Sequence, residues 1–283
     1  MAVLVASADA RAYCRTTTQP VPANYNPVLS GCITEGTPLA WPSMPVAFEL
    51  NQAASTQVSL AEATPVFAAA FQSWAQASCP TEDGGAEQPA LSFEMLSPTA
   101  APFVPCEAGD EACEQAEGNG PHQIVFRDDD WPYQDSENTI ALTTVSFGVD
   151  SGDIRAANME INSFQHVISL DDPPPTGAIS LAAIATHEAG HFVGLAHSQK
   201  ESAVMYAYYD PGMTTLTTDD VDAICDVYPP GTSSPKSGCS CDVAGRPGGA
   251  AALSLAGLGL ALVAVRRRHR RRSSASEPSP FLG

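Results

Sequence analysis

The run His187-Glu188-Ala189-Gly190-His191-Phe192-Val193-Gly194-Leu195-Ala196-His197-Ser198 constrains this chain of 283 residues more than any other stretch. Residues four apart on a helix share a face, so His187 and His191 can direct both imidazoles at one metal ion. Glu188 follows the first of them and lies beside such an ion rather than on it, which suits a general base for a metal-activated water. Gly194 lets the backbone take left-handed angles that other residues resist, and His197 can then return as a third ligand. Three neutral imidazoles leave one position open on a tetrahedral zinc, the arrangement of a catalytic site rather than a closed structural one. A chance H-E-x-x-H on an amphipathic helix is the plain alternative. The further glycine and third histidine, at fixed spacing, argue against it.

At these residues the sequence resembles the metzincin zinc endopeptidases. Ser198 directly after the third histidine, and Met205-Tyr206 seven residues further on, resemble the matrixin branch. Ala203-Val204-Met205-Tyr206-Ala207-Tyr208-Tyr209 is similar to the methionine turn that underlies the metal in that family. Ala207 departs from the pattern twice. It stands where matrixins usually have proline, and where the astacin and serralysin branches place a tyrosine, so the resemblance argues against a fifth, tyrosine ligand. What it implies is an α+β catalytic domain with a twisted, mixed five-stranded sheet and three helices. One catalytic Zn2+, held by His187, His191 and His197 with Glu188 as base, and protein or peptide substrates are implied with it.

The succession of elements is readable from hydrophobic period. Val46–Leu50 is short and β-compatible, and Ser59 to Ala77 repeats Leu60, Ala63, Phe67, Ala70, Phe71 and Trp74 at helical spacing, a stripe expected in the core. Further strands are expected at 90–96, 123–126, Thr139 to Phe147, and 158–162, with a Pro-, Gly- and acid-rich loop over 98–121. Ser180 can cap the metal helix from Leu181 to about Gly194. Thr217 or Thr218 can cap a closing helix that Pro229 ends. By analogy with matrixins, Thr139 to Phe147 is the edge strand above the cleft. An extended peptide would add to it at Ala141, Leu142, Thr143, Thr144 and Val145 as a further strand, unless the Asp171-Asp172-Pro173-Pro174-Pro175 loop covers it. His122 and His166 read as satisfied histidines rather than ligands.

Charge divides the chain at Pro230. Before it, five basic residues stand against thirty acidic ones, a balance that repels nucleic acid and anionic membranes and that solubility alone can explain. The acids at Glu107 to Glu117 and Asp128 to Asp130 are candidate Ca2+ ligands, although no EF-hand loop is present. Cys14, Cys32, Cys79, Cys106, Cys113 and Cys225 form an even, dispersed set without C-x-x-C pairs, which fits disulfides in an oxidising compartment. Proximity suggests Cys14 with Cys32 and Cys106 with Cys113. Residues 1–12 end in small-x-small patterns but lack a full apolar run, and read as the remnant of a signal peptide.

Beyond the catalytic domain at 13–230, a Gly/Ser/Pro linker with Cys239 and Cys241 spans 231–247. An uncharged run from Gly248 to Val265 then meets an arginine cluster ending at Arg272, and 273–283 reads as a disordered tail. Eighteen uncharged residues just suffice to cross a bilayer with the arginines on the cytoplasmic side. The tail resembles the C-terminal sorting signals of myxobacterial surface proteins, with Cys239 and Cys241 as the anchor cysteines and the apolar run as an anchor helix. These readings together describe a monomeric zinc endopeptidase, secreted or held at a bacterial envelope. No cysteine-switch motif marks an inhibitory prodomain. The competing reading is an envelope-displayed binding or adhesion protein that keeps the metal but does not cleave; Glu188 favours the enzyme, since a binding module needs no base there.

Overall fold

The structure is a computed structural model that describes residues 12–22, 24–103, 122–133, 137–231 and the backbone of 277–282. Cys106, Cys113, Cys239, Cys241, the acids at 107–117, the apolar run at 248–265 and nearly all of the leader-like segment lie outside the described residues. No helix among the described residues is long and apolar enough to cross a membrane.

Five strands form the expected mixed sheet: β2 (Val46–Leu50), β5 (Phe93–Met95), β6 (His122–Phe126), β7 (Thr139–Phe147) and β8 (Ile154–Ile161). They lie in the order β5-β2-β6-β8-β7, parallel except for β7, which runs antiparallel to β8. Short pairs flank them: β1 (Cys14–Arg15) with β11 (Leu195–Ala196), β3 (Cys79–Pro80) with β4 (Ala86–Glu87), and β9 (Val167–Ser169) with β10 (Ala178–Ser180). β8 begins four residues before the run at 158–162, because Ile154 and its neighbours gain strand structure from pairing with the far end of β7.

Among the described residues there are three helices, α1 (Leu60–Ala75), α2 (Leu181–Phe192) and α3 (Thr218–Val227). Phe67, Phe71 and Trp74 of the α1 stripe are fully buried, which favours folding by roughly 2–3 kcal/mol for each such side chain. Phe71 stacks on Phe48 of β2 at 4.0 Å and meets Phe192 of α2 edge-on at 5.0 Å, so one ring links sheet, α1 and metal helix. The Trp74 indole N–H donates to the Thr186 carbonyl at 2.8 Å. At the C-terminal end of α2, where carbonyls lose their helical partners, Trp41 donates to Phe192 O and Tyr228 to Val193 O. Among the described residues two disulfides tie the domain, Cys14–Cys32 and Cys79–Cys225. The second, unforeseen in the sequence, closes a separation of 146 residues against 18 for the first. On chain-entropy grounds that is about 5 kcal/mol of stabilisation against about 3 kcal/mol.

One correction concerns the tail and the sheet edge. Residues 277–282, within the stretch expected to be disordered, form β12 (Glu277–Leu282), which pairs antiparallel with β7 and becomes the sixth strand. The outer edge of β7 is therefore not free. The Asn162 N–H donates to Ile140 O, which turns the even-numbered residues of β7 toward β8. Thr143 and Val145 then turn their backbone groups outward, opposite Ser279 and Glu277. Pro278 and Pro280 fall opposite Thr144 and Leu142, the positions at which no backbone donor is needed.

Candidate metal centre

Ser180 starts α2 as expected, its hydroxyl accepting from Ala183 N at 3.3 Å. The helix brings His187 and His191 to one face, and Gly194, at φ +92°, makes the turn that returns His197. No side chain fits at Gly194, since a Cβ there would stand 2.6 Å from the Leu39 carbonyl oxygen. The Nε2 atoms of His187 and His191 lie 3.1 Å apart, and those of His191 and His197 3.2 Å apart. A tetrahedral zinc with N bonds of about 2.0–2.1 Å requires nitrogens about 3.3 Å apart. The three rings thus converge at a spacing that could hold one ion. Among the described residues they are the one group of three or more His, Cys, Asp or Glu side chains close enough to share a metal.

Backbone carbonyls set the rings. His187 Nδ1 donates to Val204 O at 2.6 Å and His191 Nδ1 to Leu195 O at 2.8 Å, which fixes the tautomer that leaves each Nε2 lone pair free for a metal. Burial, followed by the neighbouring imidazoles, holds His187 well below the usual histidine pKa. Burial takes His191 down to about 4. His197 is held well below its ordinary value by burial and by His191. Rings kept neutral in this way are ready for a metal, because no proton must leave first.

Glu188 is fully buried beside them. Its Oε2 accepts from the Thr143 hydroxyl of β7 at 2.6 Å, and its Oε1 has no hydrogen-bond partner. Burial pushes its pKa up to about 8, with the Thr143 bond acting against the rise. A buried carboxylate oxygen without a partner is costly in isolation. A cation and a water next to it would meet that need, so both the donor set and the orphaned oxygen fit zinc.

Met205 packs against α2, its sulfur 2.2 Å from where a Cβ at Gly190 would stand. The turn that carries it is held by Asp220 of α3. That carboxylate accepts from Val204 N (3.0 Å), Met205 N (3.1 Å) and Thr217 N (2.8 Å). Since Val204 also supplies the carbonyl for His187, Asp220 fixes a ligand through one peptide unit. Ser198 extends the tie, donating to Asp219 at 2.6 Å. Tyr209 accepts from Ser180 N at 2.7 Å and joins the far end of the turn to the start of α2. The sequence places Asp219 and Asp220 in the closing helix without assigning them a role at the metal. The capping-box spacing from Thr217 to Asp220 was the signal for more.

Other sequence expectations separate here. Ala207, which departs from the family pattern in the methionine turn, is buried. Asp128, a calcium candidate, accepts from Ser55 Oγ at 2.8 Å, from Thr56 N at 2.5 Å and from Ser163 Oγ, so its oxygens serve to hold loops. His122 packs between Trp41 and Phe192, and burial lowers its pKa to about 4, as a core histidine requires.

Residues 107–229, which contain β6, β7, β8, α2 and α3, match the family model described as Matrixin. The chain is 47% identical over 55 residues to Metalloendoproteinase 1-MMP of Arabidopsis thaliana, covering 19% of this chain and 15% of that protein. It is 43% identical over 63 residues to karilysin of Tannerella forsythia, 22% of this chain and 13% of karilysin. Against human matrix metalloproteinase-26 the figures are 42% over 52 residues, 17% and 20%. The matched stretches thus span a fifth or less of these relatives' own lengths. At family level these likenesses support a zinc metalloprotease.

Proposed function

We propose that this protein is a zinc-dependent endopeptidase. The observation that carries the reading is three mutually facing Nε2 atoms, 3.1 and 3.2 Å apart, beside a buried carboxylate with one unpartnered oxygen. Zinc bound there supplies a Lewis acid for a carbonyl and for a water molecule. Glu188 performs the proton work. Its unpartnered Oε1 can take a proton from the attacking water and pass it to the leaving amine, while Thr143 keeps the carboxylate aimed through Oε2. Val204 and Leu195 keep His187 and His191 from rotating away during these transfers.

In the same reading, extended substrate lies along β7 from Ala141 to Val145. Thr143 supports this, because it belongs to β7 and touches Glu188. Substrate must then take the place of β12, which pairs with the same residues. Export fits the two disulfides, and the sequence of 248–272 supports attachment at an envelope.

The test is cleavage of a broad peptide library by the full chain, with and without chelator and with zinc restored. Hydrolysis lost on chelation and regained with zinc supports the proposal; hydrolysis indifferent to chelator sinks it. A protein that holds zinc yet cleaves nothing would be the binding or adhesion protein instead.

A further inference from the structure

The loop that carries the third histidine does not hold its own shape. β11 is two residues long, Leu195 and Ala196, and a ribbon that short is not stable by itself. Its partner is the start of the domain. Cys14 pairs with Ala196 and Arg15 with Leu195. Thr16 N donates to Gly194 O at 2.9 Å, and Gln199 N donates to Ala12 O at 3.1 Å. Residues 12–16 therefore line the segment 194–199 from end to end, a segment that includes His197 and the Leu195 carbonyl bound to His191.

This strap is itself fastened. Cys14 is buried and disulfide-bonded to Cys32. The loop so closed comes back to the same place, where Gln199 Nε2 donates to Val28 O at 3.2 Å. On its other side Leu39 N donates to Thr16 O at 2.8 Å. No strap residue is a metal ligand, yet two of the three ligands take their positions from the backbone it grips.

We propose that residues 12–16, locked by Cys14–Cys32, are positioning residues for the metal centre, and that they set metal affinity rather than merely adding stability. The inference rests on the metal reading above. Partners that orient ligands from outside the coordination sphere typically account for roughly 10- to 100-fold in metal affinity. The strap acts on His191 and His197 together, so an effect of that size is expected from unlocking it. Cys79–Cys225 is the internal control. It ties β3 to the last turn of α3, away from Asp219 and Asp220 in the first turn, and closes a far longer loop.

The experiment measures zinc affinity by competition with a chromophoric chelator, and thermal unfolding, on the full chain. Cys14→Ser/Cys32→Ser should bind zinc at least tenfold more weakly while the metal-free domain stays folded by circular dichroism. Cys79→Ser/Cys225→Ser should melt at lower temperature with unchanged zinc affinity. Serine is used so that no freed thiol can bind the metal. If the first variant does not fold, Thr16→Pro keeps the disulfide and deletes the N–H that holds Gly194 O, and it should weaken zinc in the same direction. Wild-type affinity in a folded strap variant overturns the inference, and so does equal weakening by both disulfide variants. A wild type that takes up no zinc would instead overturn the metalloprotease reading on which it rests.

Discussion

The loop side and the sheet side of α2 treat their titratable groups differently. Below the helix, His187 and His191 are each fixed by a backbone carbonyl, and those carbonyls are fixed in turn by Asp220 and by the strap at residues 12–16. Above it, Glu188 has a single hydroxyl partner on β7 and one oxygen left over. Backbone-held rings are built for one geometry. A carboxylate with spare capacity is built to change its proton count. In the proposed mechanism, holding and proton transfer are thus divided between two faces of one helix, and each face can be attacked separately.

The largest effect should come from the loop side. His191→Ala leaves two ligands, so zinc content by atomic absorption and peptide hydrolysis should both vanish. Glu188→Gln should split the two readouts, with zinc staying near one per chain while hydrolysis falls roughly 10²- to 10⁴-fold. An active glutamine variant would sink the division. The same pair gives a pH signature in chelator-treated protein. Because the folded-state pKa of Glu188 is raised to about 8 from 4.5, its stability contribution is full below 4.5 and lost as pH rises through 8. Wild type should therefore lose stability relative to Glu188→Gln across that window in denaturant titrations.

Smaller effects test the sheet side. Thr143→Val removes the one bond that lowers the Glu188 pKa, so the acidic limb of the pH–rate profile should move upward and kcat should fall on the order of tenfold, with zinc content unchanged. A profile that does not move would mean Thr143 only packs. Smallest is the expected effect of ending the chain after Ser237. Without β12, peptides no longer compete for Thr143 and Val145, and KM for extended substrates should drop a few-fold at constant kcat. A truncated protein that fails to fold would show β12 to be part of the sheet's stability instead.

What the sequence disclosed follows this same division. β7 is found at its expected bounds, and α1 and α2 within two residues of theirs, because period and caps are local signals. The convergence of His187, His191 and His197 was legible because one helix and one turn suffice to gather them. Thr143, Asp220 and Cys79–Cys225 were not, since their partners lie 45, 16 and 15, and 146 residues away, respectively. Only the packing of separate elements brings such groups together. β1 and β11 escaped notice for a different reason: two-residue strands carry no alternation to read.

Gly190 gives the two unspecified letters of the H-E-x-x-H pattern unequal standing. A methyl group there would sit 2.2 Å from the Met205 sulfur and 2.9 Å from the Trp74 ring. Bulk at 190 therefore has to be traded against bulk at 205 or 74, so among descendants of this chain the three positions should vary as a set. A reader scanning genomes with the pattern alone would accept any residue at 190. Adding the size exchange with 205 and 74 would separate chains that can seat a methionine against the metal helix from those that only spell the motif.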